Sequence, residues 1–145
     1  MKKIIKWILF AAWMIVIFNF SSMPAEASNE NSRYVIYIFN LLGLNLNSIL
    51  GNMANFAVRK AAHFTEYFIL YLFAYNALTD CYDKRKCLWI SLIIVFLYAS
   101  TDEIHQIFVP GRSGRFRDVL IDTSGGTLGM IIKGFNCHIK KTSVK

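Results

Sequence analysis

Apolar runs alternate with polar segments along this 145-residue chain, and the lengths of the runs carry the first information. Ile4 to Phe20 follows Lys2 and Lys3 and contains Lys6. Its seventeen residues, at ~1.5 Å each, make roughly 25 Å of helix, just enough to span a bilayer. Similar runs extend from Met53 to Leu78, from Leu88 into the polar Thr101–Gln106 stretch, and from Asp118 to Phe135. Ser21 to Ser32 is polar, holds Pro24 and reads as a loop. Tyr34 to Leu50 is apolar but broken by Asn40, Gly43, Asn45 and Asn47. Only Tyr34–Phe39 is uninterrupted, which is too short to span, and the rest is too rich in Asn, so the segment reads as a helix or re-entrant piece lying at the outer interface. Phe108 to Arg117 contains Pro110-Gly111 and Ser113-Gly114 and is a turn-rich loop. The pattern predicts an all-α fold: a polytopic membrane helical bundle in one domain, residues 1–145. Four transmembrane helices fall at about 4–20, 53–78, 88–106 and 118–135, and a short interfacial helix at about 34–50. The first run followed by Ala25-Glu26-Ala27 also fits a signal peptide with a small-residue cleavage site, the alternative to an uncleaved first span.

Composition strengthens the membrane reading. Hydrophobic residues make up 55% of the chain and charged residues 17%, against about 25% charged in soluble domains. The net charge of +7 would raise nucleic acid as a partner. Here the cations sit at the ends of apolar runs, where they set orientation, so no nucleic-acid partner is expected. With the amino terminus inside, ten of the sixteen Lys and Arg residues fall on the inner side. They include Lys2, Lys3, Lys6 and the loop Lys84-Arg85-Lys86. The expected location is the cell membrane, multi-pass, with both termini cytoplasmic. Cys81, Cys87 and Cys137 all lie on that inner side, at no familiar zinc spacing, and read as ordinary reduced thiols.

The polar residues inside the spans are the candidate chemistry. At 100° per residue, Arg59, Lys60, His63, Glu66 and Tyr67 share roughly 120° of the second span. Asp102, Glu103, His105 and Gln106 share roughly 160° of the third. Asp118, Asp122, Gly125, Gly126 and Gly129 share roughly 100° of the fourth. Alternating directions bring all three faces to the outer end, and ionisable groups at such depth must face one another or a wet pocket. Gly125 and Gly129 are four apart, a small-residue face that lets helices approach closely.

The residues permit several chemistries. Glu103, His105, Asp102, His63 and Glu66 are candidate catalytic acids and bases, since a buried carboxylate near a histidine is tuned toward neutrality. Arg59, Lys60, Gln106, Arg112, Arg115, Asp118 and Asp122 are candidate ligand-binding residues, arginine offering a planar fork for phosphate. The same arginines could instead pair with Glu103, Asp118 or anionic lipid, and Arg117 is expected to meet lipid headgroups. A structural salt-bridge network is the competing reading of the whole cluster. No metal site is expected, although His and carboxylates would suit a divalent ion. No cofactor is expected either, with neither P-loop nor dinucleotide fingerprint present.

Several segments, in order and spacing, resemble the VanZ-like family of bacterial membrane proteins. They are the serine-rich Phe20-Ser21-Ser22-Met23-Pro24-Ala25-Glu26, then Arg59-Lys60-Ala61-Ala62-His63-Phe64-Thr65-Glu66-Tyr67. They continue with Leu97 to Arg112, containing Asp102-Glu103-Ile104-His105-Gln106, and with Asp118-Val119-Leu120-Ile121-Asp122 ahead of Gly125, Gly126 and Gly129. The resemblance implies a membrane protein of the bacterial cell envelope with an outer polar cluster. It also implies an influence on susceptibility to the glycopeptide teicoplanin, with which the family's named member is associated. It implies no particular reaction. Three functions stay open: an enzyme acting on a phosphate-bearing lipid or lipid-linked wall precursor, a non-catalytic binder of such a headgroup or of a glycopeptide, and a structural charge cluster. Membrane lipid is an expected partner in each.

Overall fold

The computed structural model describes the backbone of residues 2–142 and all of their side chains except those of Asn47, Asn52 and 136–142. Cys137, His138 and the last lysines therefore lie outside the described side chains. Among the described residues the fold is all-helical. The helices are α1 (Lys3–Ser21), α2 (Ala25–Leu41), α3 (Leu46–Leu50), α4 (Ala54–Leu78), α5 (Lys84–Gln106) and α6 (Phe116–Thr142), with a tight helical turn Gly51–Met53 ahead of α4.

Two of these, α1 and α5, are long and apolar enough to cross a membrane. α4 and α6 are longer still, at 25 and 27 residues, but Arg59, Lys60 and Glu66 in one and Asp118 and Asp122 in the other dilute their hydropathy. Large apolar side chains such as Ile8 and Ile15 on α1, Trp89 and Ile93 on α5 and Ile131 on α6 are exposed. That outer band is what a lipid-facing surface looks like and what a water-facing one avoids.

The polar stretch after α1 corrects the sequence expectation. Instead of a loop over 21–32 and a helix starting at Tyr34, one helix begins at Ala25. Pro24 precedes it in an extended conformation, φ −53 and ψ 153, which presets the entry to a helix. Ala25 and Ala27 are good helix formers, and Glu26 faces the positive end of the helix dipole. The polarity belongs to a surface face with Glu26, Glu30 and Asn31, while Ser32 and Ile36, four apart, are buried. The interfacial segment is also split: α2 stops before Gly43, whose φ of +87 suits glycine. Asn40 Oδ1 then accepts from Leu46 N at 3.1 Å and starts α3. Two other ends move outward: α5 takes in Lys84, Arg85 and Lys86, and α6 continues into the segment read as a polar tail.

α4 is the central helix, touching α1, α2, α5 and α6. Its Tyr67, Leu70 and Tyr71 are fully buried with Ile17 of α1 and Val95 and Ala99 of α5. The glycines of α6 make this closeness possible. A Cβ on Gly125 would strike the Phe64 carbonyl of α4, and one on Gly129 would strike the Tyr71 ring. Gly126 faces Val95 of α5 in the same way. Long-range hydrogen bonds hold α1 on: Tyr98 Oη donates to Met14 O at 2.6 Å, and Trp13 Nε1 to Glu66 O at 2.9 Å.

Candidate functional site

The predicted polar faces meet at the end of the bundle that holds the start of α4, the end of α5 and the start of α6. α4 and α6 connect first through Lys60 Nζ and Asp118 Oδ2, 2.7 Å apart. One turn deeper, His63 Nδ1 lies 3.8 Å from Asp122 Oδ1 and 3.9 Å from Glu66 Oε2. Both separations exceed hydrogen-bond reach. His63 Nδ1 and Asp122 Oδ2 are buried without a hydrogen-bond partner among the described residues, and Asp122 is only 1% exposed. Orphaned groups of this kind are expensive and rare in a purely structural core.

The end of α5 divides its residues among three neighbours. Asp102 is buried and accepts from Gln106 Nε2 at 3.2 Å, with the Ser21 and Tyr67 hydroxyls close by. Glu103 accepts from the backbone N of Arg115 at 2.8 Å, so its carboxylate anchors the entry to α6. Gly114 lets the loop lie directly on Glu103, since a Cβ there would meet the Glu103 carbonyl. His105 turns toward α1: Nε2 is 3.1 Å from Ser22 Oγ, and its ring lies 4.8 Å from that of Phe18.

The loop arginines also divide. Arg112 donates from Nε to Met23 O at 3.0 Å and from Nη2 to Phe20 O at 3.2 Å. It thereby closes off the carboxyl end of α1 while keeping its charge, because its acceptors are neutral carbonyls. Burial, and then the neighbouring Arg59 cation, hold its ionisation below the ordinary guanidinium value. Arg59, Arg115 and Arg117 have no ion-pair partner among the described residues.

These side chains surround a cavity of about 240 Å³. Arg59, Lys60 and His63 line it from α4, Arg112 and Arg115 from the loop, and Arg117 and Asp118 from α6. Five cations face one carboxylate, and that carboxylate is already taken by Lys60. Such a site attracts an anion and places guanidinium forks around it. A second cavity of about 210 Å³ shares Arg59, His63 and Arg112 and continues between α2 and α4 past Glu66.

Of the candidates read from the sequence, Arg59, Lys60, His63, Gln106, Arg112, Arg115 and Asp118 line the first cavity, and Glu66 lines the second. Asp122 contacts His63 from beneath. Asp102, Glu103 and His105 line neither cavity. Arg117, expected from sequence to meet lipid headgroups, also lines the first cavity. Ser21, Ser22 and the α2 residues were not singled out as site residues. Their only sequence signal was the serine-rich segment itself. Among the described residues no group of three or more His, Cys, Asp or Glu side chains is arranged to hold a metal ion.

No curated protein and no solved structure matches the chain significantly. The family model described as VanZ/LLP1 matches residues 6–135, a stretch that begins in α1, ends in α6 and contains both cavities. The chain therefore belongs to the VanZ/LLP1 family, and this membership together with its two bilayer-length apolar helices points to a membrane protein.

Proposed function

We propose that this chain is a multi-pass cell-membrane protein with both termini cytoplasmic, whose extracytoplasmic cavity binds the phosphate-bearing headgroup of a membrane lipid or lipid-linked wall precursor. Its influence on glycopeptide susceptibility, teicoplanin included, would follow from holding or altering that molecule. In this reading α1, α4, α5 and α6 are the four spans of one domain, and α2 with α3 lies at the outer interface. The antiparallel order supports it: Lys6 at the start of α1 meets Asp80 just past the end of α4 at 2.5 Å, and Lys133 of α6 reaches Asn76 at 3.5 Å. The Lys84-Arg85-Lys86 run opens α5 just past Asp80. That basic end is the inner one by the positive-inside rule.

The observation that carries the binding reading is the surplus of arginine. A structural cluster accounts for Lys60 with Asp118, Glu103 with the loop backbone, and Arg112 with α1. It leaves Arg59, Arg115 and Arg117 around a cavity with no acid to neutralise them. The test is calorimetric titration of the detergent-solubilised chain with dihexanoyl phosphatidic acid. Binding that weakens about ten-fold in Arg115→Ala and again in Arg117→Ala, and falls as salt rises, is the expected result. Absence of binding to the folded wild-type chain rejects the reading.

A second reading, acid–base chemistry on the bound molecule, is favoured by the unpartnered His63 Nδ1 and Asp122 Oδ2 directly beneath the cavity. It expects Asp122→Asn to retain headgroup binding yet lose the envelope phenotype. A pure binder keeps both.

A further inference from the structure

The second cavity differs in chemistry from the first although the two share a wall. Its lining brings in α2, which contributes Ser28, Asn31 and Val35, opposite Val58, Ala62 and Glu66 of α4. The cations it holds are Arg59 and Arg112, at the junction with the first cavity. Away from that junction the one charge is the Glu66 carboxylate, which would repel a second phosphate.

The polar groups there have capacity to spare. The Glu66 carboxylate has no hydrogen bond among the described residues, and lies 3.9 Å from His63 Nδ1. The Ser28 hydroxyl has no hydrogen-bond partner either, while its carbonyl accepts from Ser32. Asn31 makes only a 3.5 Å contact to Met23 Sδ, a weak acceptor. The Glu66 carboxylate on the α4 wall, the Asn31 amide and Ser28 hydroxyl on the α2 wall, and Val35, Val58 and Ala62 among them match a ring with hydroxyls on its rim and C–H groups on its face. A fatty chain would leave Glu66 and Asn31 facing hydrocarbon.

We infer that the ligand is a polyol joined to phosphate: the arginine cavity takes the phosphate, and the α2–α4 cavity takes one neutral, hydroxyl-bearing ring. The inference rests on the phosphate reading above and deepens it. α2 is then a specificity element rather than a passive interfacial helix. The ligand could be a lipid headgroup or a soluble sugar phosphate, which present the same chemistry.

The purified full-length chain is titrated with inorganic phosphate, glucose 1-phosphate, dihexanoyl phosphatidic acid and dihexanoyl phosphatidylinositol. The expected result is glucose 1-phosphate binding at least ten-fold tighter than inorganic phosphate. The double variant Ser28→Ala with Asn31→Ala, checked for folding by thermal unfolding, shrinks that preference below three-fold. Phosphatidylinositol outbinding glucose 1-phosphate identifies a lipid headgroup as the source, and the reverse order identifies a soluble one. Equal affinity for inorganic phosphate and glucose 1-phosphate overturns the inference and leaves the phosphate site standing. So does phosphatidic acid outbinding phosphatidylinositol, which would put an acyl chain in the second cavity. If neither inorganic phosphate nor phosphatidic acid binds, the phosphate reading falls, and this inference with it.

Discussion

At one end of the bundle Lys6 pairs with Asp80, Lys86 lies 3.7 Å from Asp83 in the open, and Lys84, Arg85 and Lys86 crowd the first turn of α5. At the other end Lys60 pairs with Asp118, Asp102, Glu103 and Asp122 are buried, and four arginines line one cavity. Both ends are rich in charge, but among the described residues the buried carboxylates lie at only one of them. The cations of α5 sit at the positive end of their own helix dipole, a local cost of about 0.3–1 kcal/mol each. Charges kept at such a cost, and exposed, fit the role of topology signals in the proposed arrangement. Charges desolvated together cost far more and survive only where they pair or bind something. The contrast supports the proposed division into topology signals and a site without reference to any ligand.

The comparison can be broken most sharply by labelling intact cells with a membrane-impermeant maleimide. Ser113→Cys, in the exposed loop at the enclosed end, should react from outside, while the exposed native Cys81 at the other end should not. Labelling of Cys81 alone would invert the orientation and put the arginine cavity in the cytoplasm.

Next in size is packing. Gly125→Leu forces a side chain onto the Phe64 backbone and should cost roughly 3 kcal/mol or more, enough to prevent recovery of folded protein. Gly134, near the other end of α6, has open space around it. Gly134→Ala should be neutral or stabilise by up to about 1 kcal/mol. Thermal unfolding in detergent compares them, and equal behaviour would mean that α6 does not pack as described.

Ion pairs come last. Asp118→Ala leaves Lys60 partly buried beside four arginines and should lower stability by about 2 kcal/mol, between the values for buried and surface pairs. Asp83→Ala breaks a pair whose side chains are 67% and 82% exposed, and should change stability by less than about 0.5 kcal/mol. A larger loss at Asp83 than at Asp118, read from denaturant midpoints, would erase the distinction between the two ends.

Much of this was legible in the chain. Helical periodicity alone places Arg59, Lys60, His63 and Glu66 on one face and Gly125 and Gly129 on another, because each depends on a rotation per residue that every α-helix shares. The runs of apolar residues likewise marked where α1 and α5 cross from one polar end to the other. Glycine spacing announced a close helix contact, and the structure supplied the partners, Phe64 and Tyr71.

What periodicity cannot reach is the rotation of one helix against another and the path of chain between them. His105 shares a helix face with Asp102 and Gln106, yet packing directs it to Ser22, 83 residues away. Arg112 and Arg117 both line the cavity, but only Arg112 is also tied to backbone carbonyls, those of Phe20 and Met23, which its place in the sequence does not announce. The polar segment after Pro24 reads as a loop although Ala25, Glu26 and Ala27 favour a helix start, because the buried stripe of Ser32 and Ile36 that supports the helix is too sparse to show in the sequence pattern. Local pattern thus determined which residues carry charge on which face, whereas long-range packing alone decided which of those charges were satisfied and which were left facing an open cavity.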